Sequence, residues 1–205
     1  MSAFQDNHDP HDPVARATRL VRLFYPLADD VGGLQAVQSV VVPEPYRSLL
    51  DHRSHMTVAM ERFHGAPVSL RVVASKAEPA DAAGCRGWYG REILLLRPDG
   101  CIVQHGIVRI DLDQVDDATA AAIRAAQIPL GRILIEANLL RDVHDVQLLK
   151  IEPGPRLQQL CANAAVSTGH RGPAFGRVAE ISLGGQPAVE LLEIAAPGLL
   201  PKALR

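Results

Sequence analysis

The chain predicts an α+β fold built on one antiparallel sheet, on three observations. Two pairs of apolar runs are joined by short glycine turns, Arg97-Pro98-Asp99-Gly100 and Gly184-Gly185-Gln186, which mark hairpins rather than parallel crossovers. Stretches with helical spacing precede and separate those hairpins. No internal repeat or linker divides the segments, so a single sheet carrying helices is the simplest assembly.

The 205 residues suffice for one domain. An apolar fraction of 47% with 21% charged residues is ordinary for a soluble globular chain. With 21 basic against 23 acidic residues the formal net charge is -2, which leaves no electrostatic footprint for nucleic acid or an anionic membrane. Residues 1–8 lack a basic and an apolar leader region, and no stretch approaches the ~18 apolar residues of a membrane span. A cytoplasmic location is expected, with no nucleic-acid or membrane partner. Cys85, Cys101 and Cys161 are odd in number and widely spaced, so three free thiols are expected rather than disulfides or a zinc knuckle.

The elements follow in order. Residues 1–13 are polar and end in His8-Asp9-Pro10-His11-Asp12-Pro13, where the prolines oppose a helix. They read as a flexible N-terminal arm before a domain at 14–205, and the paired histidines and aspartates as a solvated tail rather than a metal site. Ala15 to Tyr25 has helical spacing through Leu20, Leu23 and Phe24, and Pro45 opens a second helix to Leu50. Met56, Ala59, Met60 and Phe63 form a third stripe, with Gly65 as its stop. From Pro67 to Val73 the period becomes that of a strand, followed by a loop from Lys76 to Gly84. Arg91–Leu96 and Cys101–Ile110 make the first hairpin. Asp116 and Asp117 are candidate caps for a helix over Ala118–Gln127. Pro129-Leu130-Gly131 then breaks the chain before a short helix through Ile133 and Leu134. Leu139–Ile151 reads as a strand, Arg156–Ala165 as a helix and Val166–Ala174 as a glycine loop. Phe175–Leu183 and Pro187–Ile194 make the second hairpin.

Alternation then selects candidate site residues, placing Arg91 with Ile93 and Leu95, and Glu193 with Val189 and Leu191. A guanidinium pairs bidentately with a carboxylate and stays charged when desolvated, so Arg91 is the leading anchor for a small carboxylate. The competing reading is an edge-strand arginine in water. Arg177 shares a face with Ile181 and Leu183, but an arginine opening a strand reads first as snorkelling into solvent. Glu193 is drawn inward, either as a proton carrier or as a glutamate satisfied by a neighbouring arginine. Met56 and Leu130 read first as packing. His52, His55 and His64 flank the third helix as surface histidines without a third metal ligand, and His105 on a strand is unassigned.

Five motifs in this order resemble the chorismate pyruvate-lyase family over roughly residues 49–197. They are Leu49-Leu50 followed by Met56-Thr57, Arg91-Glu92 leading a strand, Pro129-Leu130-Gly131-Arg132, Phe175-Gly176-Arg177, and Glu193 four residues before Pro197. The resemblance implies a single six-stranded antiparallel sheet with helices packed around it and a ligand pocket under helical flaps. It implies a carbon–oxygen lyase that eliminates pyruvate from chorismate to give 4-hydroxybenzoate, for ubiquinone or a specialised aromatic product. Arg91 would bind the ring carboxylate, Glu193 would lie near the hydroxyl end as a catalytic group, and the backbone at Met56 and Leu130 would complete the site, with Arg177 beside it. Aromatisation drives such an elimination, so no cofactor or metal is implied, only orientation and proton transfer. A monomer or weak homo-oligomer is expected. Two alternatives stand beside this: a non-catalytic module binding an aromatic acid, as in the ligand-binding half of a group of bacterial transcription regulators, or a related enzyme giving a different hydroxybenzoate. The stretch before Leu49 looks too short for a winged helix-turn-helix domain and linker, which ranks the module second.

Overall fold

A computed structural model describes residues 11–77, 87–162 and 172–196. One antiparallel sheet holds β1 (Gly32–Val37), β2 (Ser69–Ala77), β3 (Trp88–Leu96), β4 (Ile102–Asp111), β5 (Arg141–Pro153), β6 (Ala174–Leu183) and β7 (Gln186–Ala195). Their spatial order is β1-β5-β6-β7-β4-β3-β2. The six expected strands are present, and the expected count of six is corrected to seven. The extra strand, β1, pairs with β5 from Gly32 opposite Pro153 to Val37 opposite Leu148. Its Gly-Gly-Leu-Gln-Ala-Val sequence has little alternation, and long-range pairing rather than local pattern makes it a strand.

Among the described residues, six α-helices accompany the sheet: α1 (Pro13–Val21), α2 (Tyr46–Leu50), α3 (Met56–His64), α4 (Asp117–Ala125), α5 (Leu130–Glu136) and α6 (Pro155–Leu160). Their ends follow local chemistry. Asp12 accepts a hydrogen bond from the Ala15 amide at 2.9 Å, with Pro13 in the first turn where its missing amide costs nothing. Asp116 accepts from the Thr119 amide at 2.7 Å and starts α4 as expected. Gly65 ends α3 at φ 62, a left-handed conformation that glycine adopts without strain. Helix α1 stops at Val21, so Leu23, Phe24 and Tyr25 lie in the turns beyond it. Residues 1–10 of the expected arm, most of the expected loops at 76–84 and 166–174, the end of the helix expected to Ala165, and Cys85 lie outside the described residues. Cys161 is a free thiol, and burial pushes it up to about 12, which keeps it unreactive.

Helices cover both faces of the sheet. Helices α1 and α6 bring Leu20, Val21 and Leu157 against Leu94, Ile107, Val178 and Leu192 on one face. On the other, α2 and α3 bring Leu50, Met56 and Met60 against Leu95, Val103 and Phe175. Beside them α4 and α5 bring Ile123, Ile133 and Leu134 against Val108, Ile181 and Leu191. Burying a side chain of this size stabilises by about 1.5–3 kcal/mol, so each cluster anchors its helices and the polar residues between them are held by apolar neighbours. Among the described residues, no helix is long and apolar enough to cross a membrane.

Candidate functional site

Register dictates which side chains meet between those two clusters. One row across the sheet runs Ile93, Gly106, Glu193, Arg177. The row on one side holds Arg91, Val108 and Leu191, and the row on the other holds Leu95, Gln104 and Ala195. Above these rows stand the first residues of α3 and α5. Together they enclose a cavity of about 590 Å³, counting the space at its open mouth, lined by Arg91, Gln104, Arg177, Glu193, Met56 and Leu130 among others. All five residues singled out in the sequence therefore reach one cavity.

Arg91 is only 2% exposed. Its single hydrogen bond among the described residues runs to the Ile123 carbonyl at 3.5 Å, and no described carboxylate lies within ion-pair distance. Burial pushes its pKa below the ordinary arginine value. A buried cation that no described carboxylate balances is costly.

Arg177 is fully buried, which corrects the expected snorkelling into solvent. It lies on an inner strand between β5 and β7, with no water to reach. Its Nε donates to Glu193 Oε2 at 2.8 Å, while its terminal nitrogens donate to the carbonyls of Leu50 at 3.3 Å, His52 at 2.7 Å and Ser54 at 3.1 Å. One guanidinium thereby fastens the turn between α2 and α3 to the sheet. Glu193, 13% exposed at its side chain, is the arginine's counter-charge. Its other oxygen, Oε1, lies 3.5 Å from Gln104 Nε2.

Two of the expected surface histidines are structural instead. His52 Nδ1 accepts from the Ser54 amide at 3.1 Å and stands 3.2 Å from an Arg177 nitrogen. His55 Nε2 accepts from Arg141 Nε at 2.9 Å, and its ring packs against Gly131, where a Cβ would come within 3.2 Å. Burial, then Arg177 for His52 and Arg141 for His55, hold both imidazoles below their ordinary value. The roof is thus one unit, with Arg132 of α5 also 2.8 Å from Glu61 of α3. Neither His55 nor Pro129 caps the helix that follows it with a side chain.

His105 points to the opposite face. Its Nε2 lies 2.8 Å from Glu92, which also accepts from the Tyr25 hydroxyl at 2.7 Å, and Arg156 donates to that hydroxyl at 2.9 Å. Burial pushes Glu92 up, but the hydrogen bonds from His105 and Tyr25 outweigh it and leave its pKa below the ordinary value. Tyr25 is pushed up to about 12, chiefly by burial. This network backs the cavity without entering it. Among the described residues, His144, Asp145 and Glu180 form a group with metal-ligand spacing, but Arg16 already holds Glu180 at 3.2 Å. Sequence reasoning passed over Gln104 and Gly106, although a glutamine and a glycine inside the apolar run from Ile102 to Ile110 were the available signal.

No family model matches this chain, and no curated protein matches it. Among solved structures, it is similar to PhnF from Mycobacterium smegmatis, with 14% identity, a TM-score of 0.52, and coverage of 70% of this chain and 64% of that one. The chain therefore spans less than two thirds of PhnF. It also matches the C-terminal domain of a histidine utilization repressor from Pseudomonas syringae pv. tomato str. DC3000, with 17% identity over 64% of this chain and 92% of that one, TM-score 0.43. A third match is a GntR-family transcriptional regulator from Bacillus cereus, with 12% identity over 65% of this chain and 94% of that one, TM-score 0.45. At these identities the likeness to PhnF speaks for the fold. These neighbours are regulators, not lyases, and overturn the expected membership of the chorismate pyruvate-lyase family, the expected lyase activity and the expected role in 4-hydroxybenzoate biosynthesis.

Proposed function

We propose that this domain is a small-molecule-binding module of effector type that takes a compact organic carboxylate beneath α3 and α5. One observation carries the reading: Arg91 sits in the cavity wall, 2% exposed, with no described carboxylate to balance it. Arg177, by contrast, already has Glu193. A planar fork that is desolvated before any ligand arrives favours a bidentate carboxylate, and the surrounding Leu70, Ile93, Leu95, Val143 and Ile181 suit an apolar body. Met56 and Leu130 supply the helix starts that border the same space. By analogy with the regulators of similar fold, occupancy would be a signal passed to a DNA-binding partner. The near-neutral charge of this chain speaks only against DNA contact by the domain itself.

The test is titration calorimetry of the full chain against a panel of small aromatic and alicyclic carboxylates, with each compound recovered and assayed afterwards. Binding that depends on Arg91 and returns the acid unchanged is the expected result. Affinity that survives Arg91→Ala in a folded protein, or consumption of the acid, would refute a binding module anchored at this residue.

A further inference from the structure

We propose that Gln104 sets a second recognition point, so that the acid held by Arg91 carries a hydrogen-bond donor, a hydroxyl or N–H group, that meets Gln104 Oε1. This rests on the carboxylate reading of the cavity and specifies the other end of its ligand.

Gln104 is 2% exposed, lines the cavity from β4, and its Oε1 is buried without a hydrogen-bond partner among the described residues. The amide cannot solve this by turning over. Glu193 Oε1 lies 3.5 Å from Gln104 Nε2, and a carboxylate only accepts, so a flipped amide would set two acceptors face to face. Glu193 cannot swing aside either, because its other oxygen is bonded to the buried Arg177 at 2.8 Å. The chain Arg177, Glu193, Gln104 therefore fixes the amide with its acceptor unused.

Unsatisfied buried acceptors are rare, and a site that holds one discriminates strongly against ligands lacking the donor. Gly106, two residues on along β4, adds no side chain of its own, and a Cβ there would press on Ile93 at 3.3 Å and meet Gln104 Nε2 at 3.5 Å. Arg91 is opposite Val108 and Leu95 is opposite Gln104, so the anchor and the amide are four strand positions apart, roughly 13 Å of backbone at ~3.3 Å per residue. The ligand class is an acid with its donor at the far end of an apolar body, such as a hydroxy- or amino-substituted aromatic or alicyclic carboxylic acid.

Calorimetry on the full chain would compare 4-hydroxybenzoate and 4-hydroxycinnamate, each with its 4-fluoro counterpart, which keeps the size and loses the donor. At least one hydroxy acid should bind about 10–100-fold more tightly than its fluoro partner. In the Gln104→Met protein that preference should vanish while fluoro-acid affinity stays within roughly three-fold. Arg91-dependent binding without discrimination, or discrimination that persists in Gln104→Met, would each overturn the role of Gln104 alone. If none of the four acids binds, the carboxylate reading falls and this one with it.

Discussion

Arg141 of β5 donates its Nε–H to His55 Nε2 at 2.9 Å, joining the residue before α3 to the strand that follows α5. The same guanidinium donates to the Leu139 carbonyl at 3.0 Å. His55 must be neutral to accept, so the roof of the cavity is latched by a bond that protonation removes. Its companion, the Arg132–Glu61 pair, is half exposed and contributes little. The roof is therefore expected to be among the least stable parts of the molecule.

Acid should loosen this roof before the sheet. His52, His55 and His64 are all held below the ordinary value of 6.5, first by burial and then by nearby arginines, with His64 lowered to about 4. A lowered histidine pKa means that the unfolded chain binds the proton first. The stabilisation is complete above about 6.5 and is lost as pH falls through the folded values. Melting temperature should decline between pH 6.5 and 4, and hydrogen exchange at residues 52–64 should rise ahead of β6. His55→Gln keeps an acceptor for Arg141 and should flatten part of the profile; exchange at 52–64 that ignores pH would refute the latch.

Replacing Arg91 should separate binding from stability. Arg91→Ala is expected to weaken acid binding by ~2–5 kcal/mol, the usual loss when one partner of a desolvated charge pair is removed. Without ligand, Arg91→Met should raise the melting temperature, since it removes a buried charge that no described carboxylate balances. A destabilised Arg91→Met protein would mean that Arg91 is chiefly a packing residue.

Arg177 should behave in the opposite way. Arg177→Met leaves Glu193 stranded and three carbonyls unmet, so a loss of ~3–5 kcal/mol of stability is expected. Adding Glu193→Gln should restore part of it, and denaturant titration of the two single variants and the double variant would measure that coupling. Strict additivity would show that the pair is not a unit.

Ligand should order the roof selectively. With a saturating acid ligand, exchange at residues 52–64 and 126–134 is expected to slow, while residues 174–183 of β6 change little. Uniform protection across the chain would indicate global stabilisation instead of closure.

Much of this was legible locally. Period-two alternation put Arg91 and Glu193 on the cavity face, while Asp116 and Gly65 marked helix ends through groups within a few residues of themselves. What escaped depended on distant partners. Arg177 looked like a strand-start arginine because its sequence does not reveal that β5 and β7 flank it. His52 and His55 looked exposed because Arg177 and Arg141, which claim them, lie far along the chain. Strand β1 has no pattern of its own until β5 supplies one. The five ordered motifs followed the shape of the fold, and one fold hosts unrelated activities, so they misled about chemistry.

Among the described residues, the pairing of β4 with β7, Gln104–Ile110 against Ala195–Val189, is the only ladder joining the β2-β3-β4 meander to the strands from β5 to β7. Arg91 and Gln104 stand on one side of that seam, Arg177 and Glu193 on the other. Each hairpin can form within microseconds on its own, but the seam joins segments far apart in sequence and must wait for a costly loop closure. The ligand site consequently does not exist in either half of a folding chain. A ligand that needs both halves cannot hasten the early steps; it acts by slowing their separation, lengthening the life of the folded molecule rather than shortening its birth.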